Sequence, residues 1–379
     1  MRRFLLFLAF IQSLIGFAQS DIVAIGNIPI EIKETSGLIH YNGQLITHND
    51  SDSAPQLYVL DIETLQIVRT VTVIGEENID WEDISQDASH IYIGDIGNNR
   101  GTRIDLGILK ISKEEFDSSD EVTAERITYL YEDQTDFTET DGSDFDAEAL
   151  FVLDNDLIVL TKQWQSGGTV AYKIPKTPGA FLAERMDSYQ VNGLITGATF
   201  DGFTRTLYLV GYSQLLRPFF VDVPEVNTGS VFSGNPIKTN LEIGTAQVEA
   251  LTFSGDTFYA TSEEFVNQPL VNSASQLFSF TLDGIDDPPD SGEEEEEIPV
   301  NDELIVYKSN DSFELFYELN SLKPIFGMGI FDSSGRMIRY TPLERITQNP
   351  IDISTFSQGV YHLGFFYDNK VISSPFLRD

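Results

Sequence analysis

The chain has 379 residues, 41% of them hydrophobic, which is enough to fill one large core and a smaller one. Its 60 acids against 23 bases leave a net charge of -37, so a phosphate backbone or an anionic membrane surface would repel most of the molecule, and no nucleic-acid partner is expected. With no cysteine and only four histidines, disulfides, thiolate metal sites, cysteine nucleophiles and histidine-rich metal centres are excluded or starved of ligands.

In chain order, the first segment has the three parts of a secretory signal. Arg2 and Arg3 precede an apolar run from Phe4 to Phe17, and small residues follow at Gly16 and Ala18. Residues 1–18 are read as a signal peptide, cut after Ala18 to leave Gln19. The apolar run is too short to span a bilayer, and no later stretch reaches the roughly 20 residues required, so no transmembrane segment is expected.

Residues 19–283 read as repeated β-strands. Five strands that begin with a small or acidic residue, "TSGLIHYNG", "DWEDISQDA", "DAEALFVLDN", "ITGATFDGF" and "QVEALTFSG", are each followed by an apolar partner: "QLITHND", "IYIGDIGNN", "LIVLTKQ", "LYLVGYSQ" and "FYATSEE". Third strands recur in all five units and fourth strands in the first four. With Ser36, Glu82, Glu148, Gly197 and Glu249 taken as equivalent, the spacings are 46, 66, 49 and 52 residues, a period that predicts a β-propeller. The spare strand at the front, residues 21–29, supplies the strand missing from the fifth unit and removes a free sheet edge. The expected fold class is therefore all-β, a five-bladed propeller (six blades as the alternative) followed by a small β-sandwich.

The runs "DWEDISQDASHIYIGDIGNNR", "DGSDFDAEALFVLDNDLIVLTK", "ITGATF" and "QVEALTFSGDTFYATSEE" resemble, in that order, a group of secreted bacterial propeller proteins of uncharacterised activity. The resemblance implies the fold and export but no established reaction. A more distant likeness is to propeller lactonases, strictosidine synthase-like proteins and phytase-like esterases.

In a propeller the starts of the first strands and the ends of the second strands share one face. At that mouth the reading places Glu82, Glu148 and Glu249, with Ser36 and Gly197 at the matching positions. Beside them come Asn49, Asp50, Asp95, Asn98, Lys162, Gln163, Tyr212, Ser213, Glu263 and Glu264. Converging glutamates repel and their pKa values rise unless a cation or hydrogen-bond donors compensate. Calcium suits them, because it takes six to eight oxygen ligands and needs neither Cys nor His. Glu82, Asp95, Asn98, Glu148 and Glu249 are the candidate metal ligands; the alternative is that these glutamates accept backbone N–H groups of neighbouring blades and fasten the ring.

Lys162, His48 and Arg100 are the candidate acid, base or anion anchors, and Asn49, Asp50, Asn99, Gln163, Tyr212 and Glu263 the candidate ligand-binding residues. The acidic insertion Asp133–Asp146 reads as a loop overhanging the mouth. No G-x-S-x-G, H-E-x-x-H or phosphate-loop motif is present. The expected function is binding of a small molecule, glycan or envelope partner at an acidic mouth. A calcium-dependent hydrolase of the lactonase, phosphoesterase or phytase-like kind is the alternative, and a glycosidase using Glu148 and Glu263 a third possibility.

Residues 284–303, rich in Asp and Glu, with Pro288 and Pro289 among them and no base, read as a solvated linker. Residues 304–379 then show short alternating strands. Their segments "IFDSSGRMI" and "IDISTFSQGVYHLGFFYDNKVISSPFLRD" resemble the C-terminal sorting domain of the type IX secretion system. That resemblance implies passage across the outer membrane by that machinery and a cell-surface or secreted destination.

Overall fold

The computed structural model describes residues 22–282, apart from 52 and 268–270, and then 303–308, 313–320, 327–332, 337–342, 349–366 and 371–378. The expected signal peptide, and the acidic linker up to residue 302, lie outside the described residues. The chain divides into two compact units, Met1–Asp290 and Ser291–Asp379.

The first unit is all-β and of propeller type. β1 (Val23–Asn27) precedes a sheet of β2 (Thr35–Tyr41), β3 (Gln44–Asn49), β4 (Gln56–Leu60) and β5 (Ile67–Val73). Next come β6 (Trp81–Gln86), β7 (His90–Asp95), β8 (Gly107–Ser112), the short α1 (Lys113–Ser118), β9 (Glu121–Val122) and β10 (Glu125–Tyr131). They are followed by β11 (Ala147–Leu153), β12 (Asp156–Thr161), β13 (Thr169–Pro175) and β14 (Gly179–Tyr189). A four-stranded sheet follows, β15 (Leu194–Asp201), β16 (Thr206–Tyr212), β17 (Pro218–Val223) and β18 (Ile237–Asn240). The unit ends with β19 (Val248–Ser254), β20 (Thr257–Ser262), the hairpin β21 (Phe265–Asn267) and β22 (Val271–Ser273), and β23 (Gln276–Thr281).

Within each sheet consecutive long strands pair antiparallel, and two parallel contacts join outer edges. β10 lies along β14 and fuses two four-stranded runs into one eight-stranded sheet, and β9 caps β5. β1 pairs antiparallel with β23, so the front of the chain completes the last sheet and covers an edge that would otherwise be open. The first strands of the successive runs contact one another in a circle: β2 with β6, β6 with β11, β11 with β15, β15 with β19, and β19 with β2.

The core lies between sheets, which is why the second strands read as continuous apolar runs. In β12, Leu157 and Val159 pack toward the preceding sheet and Ile158 and Leu160 toward the following one, the two-residue alternation of a strand buried on both faces. Ile32, Leu38, Leu45, Ala250 and Leu277 form the corresponding cluster where the last sheet meets the first.

The second unit holds two antiparallel sheets. β24 (Glu303–Lys308), β25 (Glu314–Asn320) and β28 (Ile351–Asp352) form one; β26 (Gly327–Asp332), β27 (Met337–Pro342), β29 (Gly359–Phe366) and β30 (Val371–Arg378) form the other. They share a core of its own, with Leu315, Met328, Ile330, Ile351, Leu363 and Phe365 buried together.

Candidate functional site: an acidic channel mouth

Each of the five first strands breaks its register with its partner at one equivalent place. The breaks fall between Ser36 and Leu38, Trp81 and Asp83, Ala147 and Ala149, Ile195 and Gly197, and Val248 and Ala250. A bulge leaves one residue unpaired and re-aims its side chain. The bulged residues are Gly37, Glu82, Glu148, Thr196 and Glu249. Two positions of the sequence alignment are thereby corrected by one residue: Gly37 and Thr196, not Ser36 and Gly197, match the three glutamates. Ser36 and Thr196 instead donate their hydroxyls to the carbonyls of Glu82 and Val248 on the adjacent strands, both at 2.5 Å.

Beyond the bulge four of the five hairpins continue by one backbone bond, the exception being β15–β16, where Ser213 donates its N–H to Arg217 O. Asp50 donates its N–H to Glu34 O at 2.9 Å, Ile96 to Asp80 O at 3.1 Å, Lys162 to Asp146 O at 2.8 Å and Glu263 to Gln247 O at 3.0 Å. Residues just past the second strands are thus held beside residues just before the bulges. Two residues before each bulged glutamate stand Asp80, Asp146 and Gln247, so the strand alternation brings two Asp-x-Glu pairs and one Gln-x-Glu pair to the mouth.

The result is a concentration of carboxylates. Oxygens of Glu82, Asp146 and Glu148, all buried, lie within 4.8 Å of one another, and so do those of Asp50, Asp80 and Glu82. Either group could hold a metal ion, since two oxygens bound to one calcium at 2.3 to 2.6 Å can be no more than about 5 Å apart. Glu249 lies nearby with its Oε2 buried and unpartnered, while Gln247 Nε2 donates to its Oε1 at 3.4 Å.

Lys162 answers part of this charge: its Nζ is 2.9 Å from Glu148 Oε1, with both side chains 6% exposed. The ammonium also lies over the rings of Trp164 at 4.6 Å and Tyr212 at 5.4 Å. Asp146 is held from both sides, by the Asn98 N–H at 2.6 Å and by Trp164 Nε1 at 2.7 Å. Gly97 makes room here, because a Cβ at that position would fall 2.3 Å from both Asp80 Oδ2 and Glu82 Oε1.

Burial is the first cause of every carboxyl shift at the mouth. It pushes Glu82 well up, reinforced by Glu148 and Asp50; Glu148 also rises well above the carboxylate range, against the pull of Lys162. Asp80 is pushed up to about 7, Glu249 to about 7 and Glu263 to about 8. Lys162 moves well up, because Glu148 and its neighbours outweigh the cost of burial. These directions describe a site short of positive charge.

The other sequence-derived candidates fall in different places. Asp95 is buried, but Arg103 takes its Oδ1 at 2.9 Å and Arg126 reaches its Oδ2 at 3.4 Å, so its charge is already matched. Asn98 is a turn organiser: its Oδ1 accepts the Arg103 N–H at 3.0 Å and its Nδ2 donates to Phe145 O at 3.3 Å. His48 is buried against Trp81 with its ring edge-on, its pKa lowered to about 4 by burial, and is a neutral core residue. Arg100 is exposed and paired with Glu139 at 2.8 Å, and Asn99 is exposed. Asn49 donates from Nδ2 to Glu31 O at 2.9 Å, while Gln163 and Gly168 close a turn. Tyr212 and Glu263 stand at the mouth, the tyrosine accepting from Gln247 Nε2 at 3.2 Å.

Sequence reasoning missed Asp80, Gly97, Trp164 and Asp83, and did not count Asp146 among the ligands. The first three line the mouth. Asp83 does what was expected of the glutamates as ring fasteners: its Oδ2 accepts Leu150 N–H at 2.7 Å and Ala198 N–H at 3.3 Å, from two other first strands, and its Oδ1 accepts Ile84 N–H at 2.8 Å.

The fold and the mouth define a propeller-type protein with an acidic, metal-competent centre. No protein-family model matches the chain, and no curated protein matches it. Among solved structures it is similar to a glutaminyl cyclase from Myxococcus xanthus, at 13% identity over 69% of this chain and 97% of that one, with a TM-score of 0.41. It is also similar to PorZ, a bacterial surface component of the type IX secretion system of Porphyromonas gingivalis. There the identity is 11% over 90% of this chain and 44% of PorZ, with a TM-score of 0.33. At these identities and scores the likenesses bear on neither activity nor partners. Among the described residues no helix is long and apolar enough to cross a membrane.

Proposed function

We propose that this is an exported five-bladed propeller that holds calcium at its channel mouth and uses the bound ion to capture a ligand. Residues 1–18 direct export, and residues 304–379 engage the type IX secretion machinery. The circle of first-strand contacts supports five blades. The observation that carries the calcium reading is the buried trio Glu82, Asp146 and Glu148, whose oxygens converge within 4.8 Å with Lys162 beside them. An all-oxygen carboxylate set selects a hard cation, and several protein oxygens on separate strands suit calcium better than magnesium, which keeps most of its waters. The ligand's own oxygens would complete the shell, with Trp164 and Tyr212 flanking it.

The test is metal content and thermal melting of the purified secreted chain, with and without a calcium chelator. Near-stoichiometric calcium, and a melting temperature that drops several degrees on chelation and recovers on adding calcium back, is the expected result. A metal-free protein whose melt ignores chelator and calcium alike would overturn the reading.

A hydrolytic reading has one observation in its favour, the buried Lys162 ammonium next to the cluster, placed to hold a developing anion. It requires turnover of a lactone or phosphoester that disappears both on chelation and in Lys162→Met.

A further inference from the structure

We propose that the mouth holds two hard divalent cations rather than one, with the Glu82 carboxylate bridging them. This rests on the cation reading above and deepens it. The two convergent carboxylate groups, Asp50 with Asp80 and Asp146 with Glu148, have one member in common, and that member is Glu82. A carboxylate has two oxygens, so a single side chain can give one to each ion.

Three further observations point to absent ligands rather than to a mere gathering of acids. Glu82 is only 3% exposed, yet its carboxylate converges with those of four other acids, a costly concentration of like charge in a buried place. Glu249, 6% exposed and close enough to Glu148 to raise it electrostatically, leaves Oε2 buried and unpartnered. Gly97 leaves a space bounded by Asp80 Oδ2 and Glu82 Oε1 that any other side chain would fill. Charge points the same way: the five carboxylates of the two groups outnumber the one Lys162 ammonium by four, more than one divalent ion offsets, even before Glu249 is counted.

The division of labour follows from burial. The site at Glu82, Asp146 and Glu148 is formed wholly by buried groups, whereas Asp50 and Asp80 are half-buried, so the ion they share with Glu82 is the more accessible and the more readily exchanged.

The experiment is native mass spectrometry and calorimetric titration of the full mature chain with calcium alone. Wild type is expected to take up two ions in two resolved steps. Asp80→Asn should lose the weaker ion and keep the tighter one, Glu148→Gln should weaken the tighter one at least tenfold, and Glu82→Gln should weaken both. If Glu82→Gln fails to fold, as read by circular dichroism, Asp80→Asn and Glu148→Gln still decide the matter. A wild type that binds one calcium overturns the two-ion assignment and leaves the single-cation function standing. A wild type that binds none removes both. Two ions that survive in Asp80→Asn and in Glu148→Gln alike would place them elsewhere and also overturn the assignment.

Discussion

Glu82 and Asp83 are adjacent acids with opposite fates, and the bulge separates them. Asp83 returns to the paired register and is fully buried, with three backbone N–H groups on its carboxylate. Burial raises its pKa and those donors oppose the rise. Asp83→Ala strands three donors, each costing about 1 kcal/mol or more, so urea unfolding should show a midpoint lowered by the equivalent of about 3 kcal/mol at unchanged slope. Glu82 behaves differently: burial first, and then the acids around it, push its pKa well up. In the chelated protein Glu249 and Glu263, pushed up to about 7 and about 8, bind protons more tightly than in the unfolded chain. Their contribution to stability is therefore complete below the ordinary carboxyl range and lost as pH rises through 7 to 8. Melts in chelator should fall steadily from pH 5 to 8.5, and calcium should flatten the fall by supplying the missing charge. A flat profile in chelator would mean that the chain itself neutralises the mouth. Gly97→Ala should push the Asp80 and Glu82 oxygens apart and cut calcium affinity at least tenfold, measured by titration on a variant whose melt shows it folded.

At the level of the element, the strands were legible because both faces of each sheet are covered. Runs such as "DLIVLT" and turns such as "DND" announce a doubly buried strand and its hairpin. The front strand was legible by arithmetic, since the fifth unit lacked a fourth strand, and the pairing of β1 with β23 supplies it. The bulges were not legible. A one-residue insertion leaves local composition unchanged, and in β2 and β15 the bulged residue is Gly37 or Thr196, so matching by residue type slipped by one place. The repeated Asp-x-Glu at 80–82 and 146–148 was the signal that could have found Asp80 and Asp146, because residues two apart on a strand share a face. Asp95 misled because its partners, Arg103 and Arg126, come from a loop and a strand that no local pattern ties to it. The closure by β1 also carries its own expectation. Ile32, fully buried just after β1, packs where the last sheet meets the first, so Ile32→Ala should cost about 2 to 5 kcal/mol by equilibrium unfolding. A loss below 1 kcal/mol would mean that the ring is held without this seam.

Across the whole molecule, an excess of acid and a buried acidic centre act in the same direction. A chain with net charge -37 concentrates divalent cations around itself, and the mouth is where carboxylates are dense enough and dry enough to keep them. The second unit has a core of its own. It buries Leu315, Ile330, Ile351 and Leu363 among themselves, with antiparallel sheets closed by its own strands. A unit with a self-contained core folds without its neighbour. Calcium should therefore move only one of two thermal transitions in the full chain, the one that a fragment of residues 19–283 reproduces alone. Differential scanning calorimetry in calcium and in chelator resolves the two. If calcium shifts both transitions together, or if the fragment loses its calcium response, the units are coupled and the mouth depends on residues beyond 283.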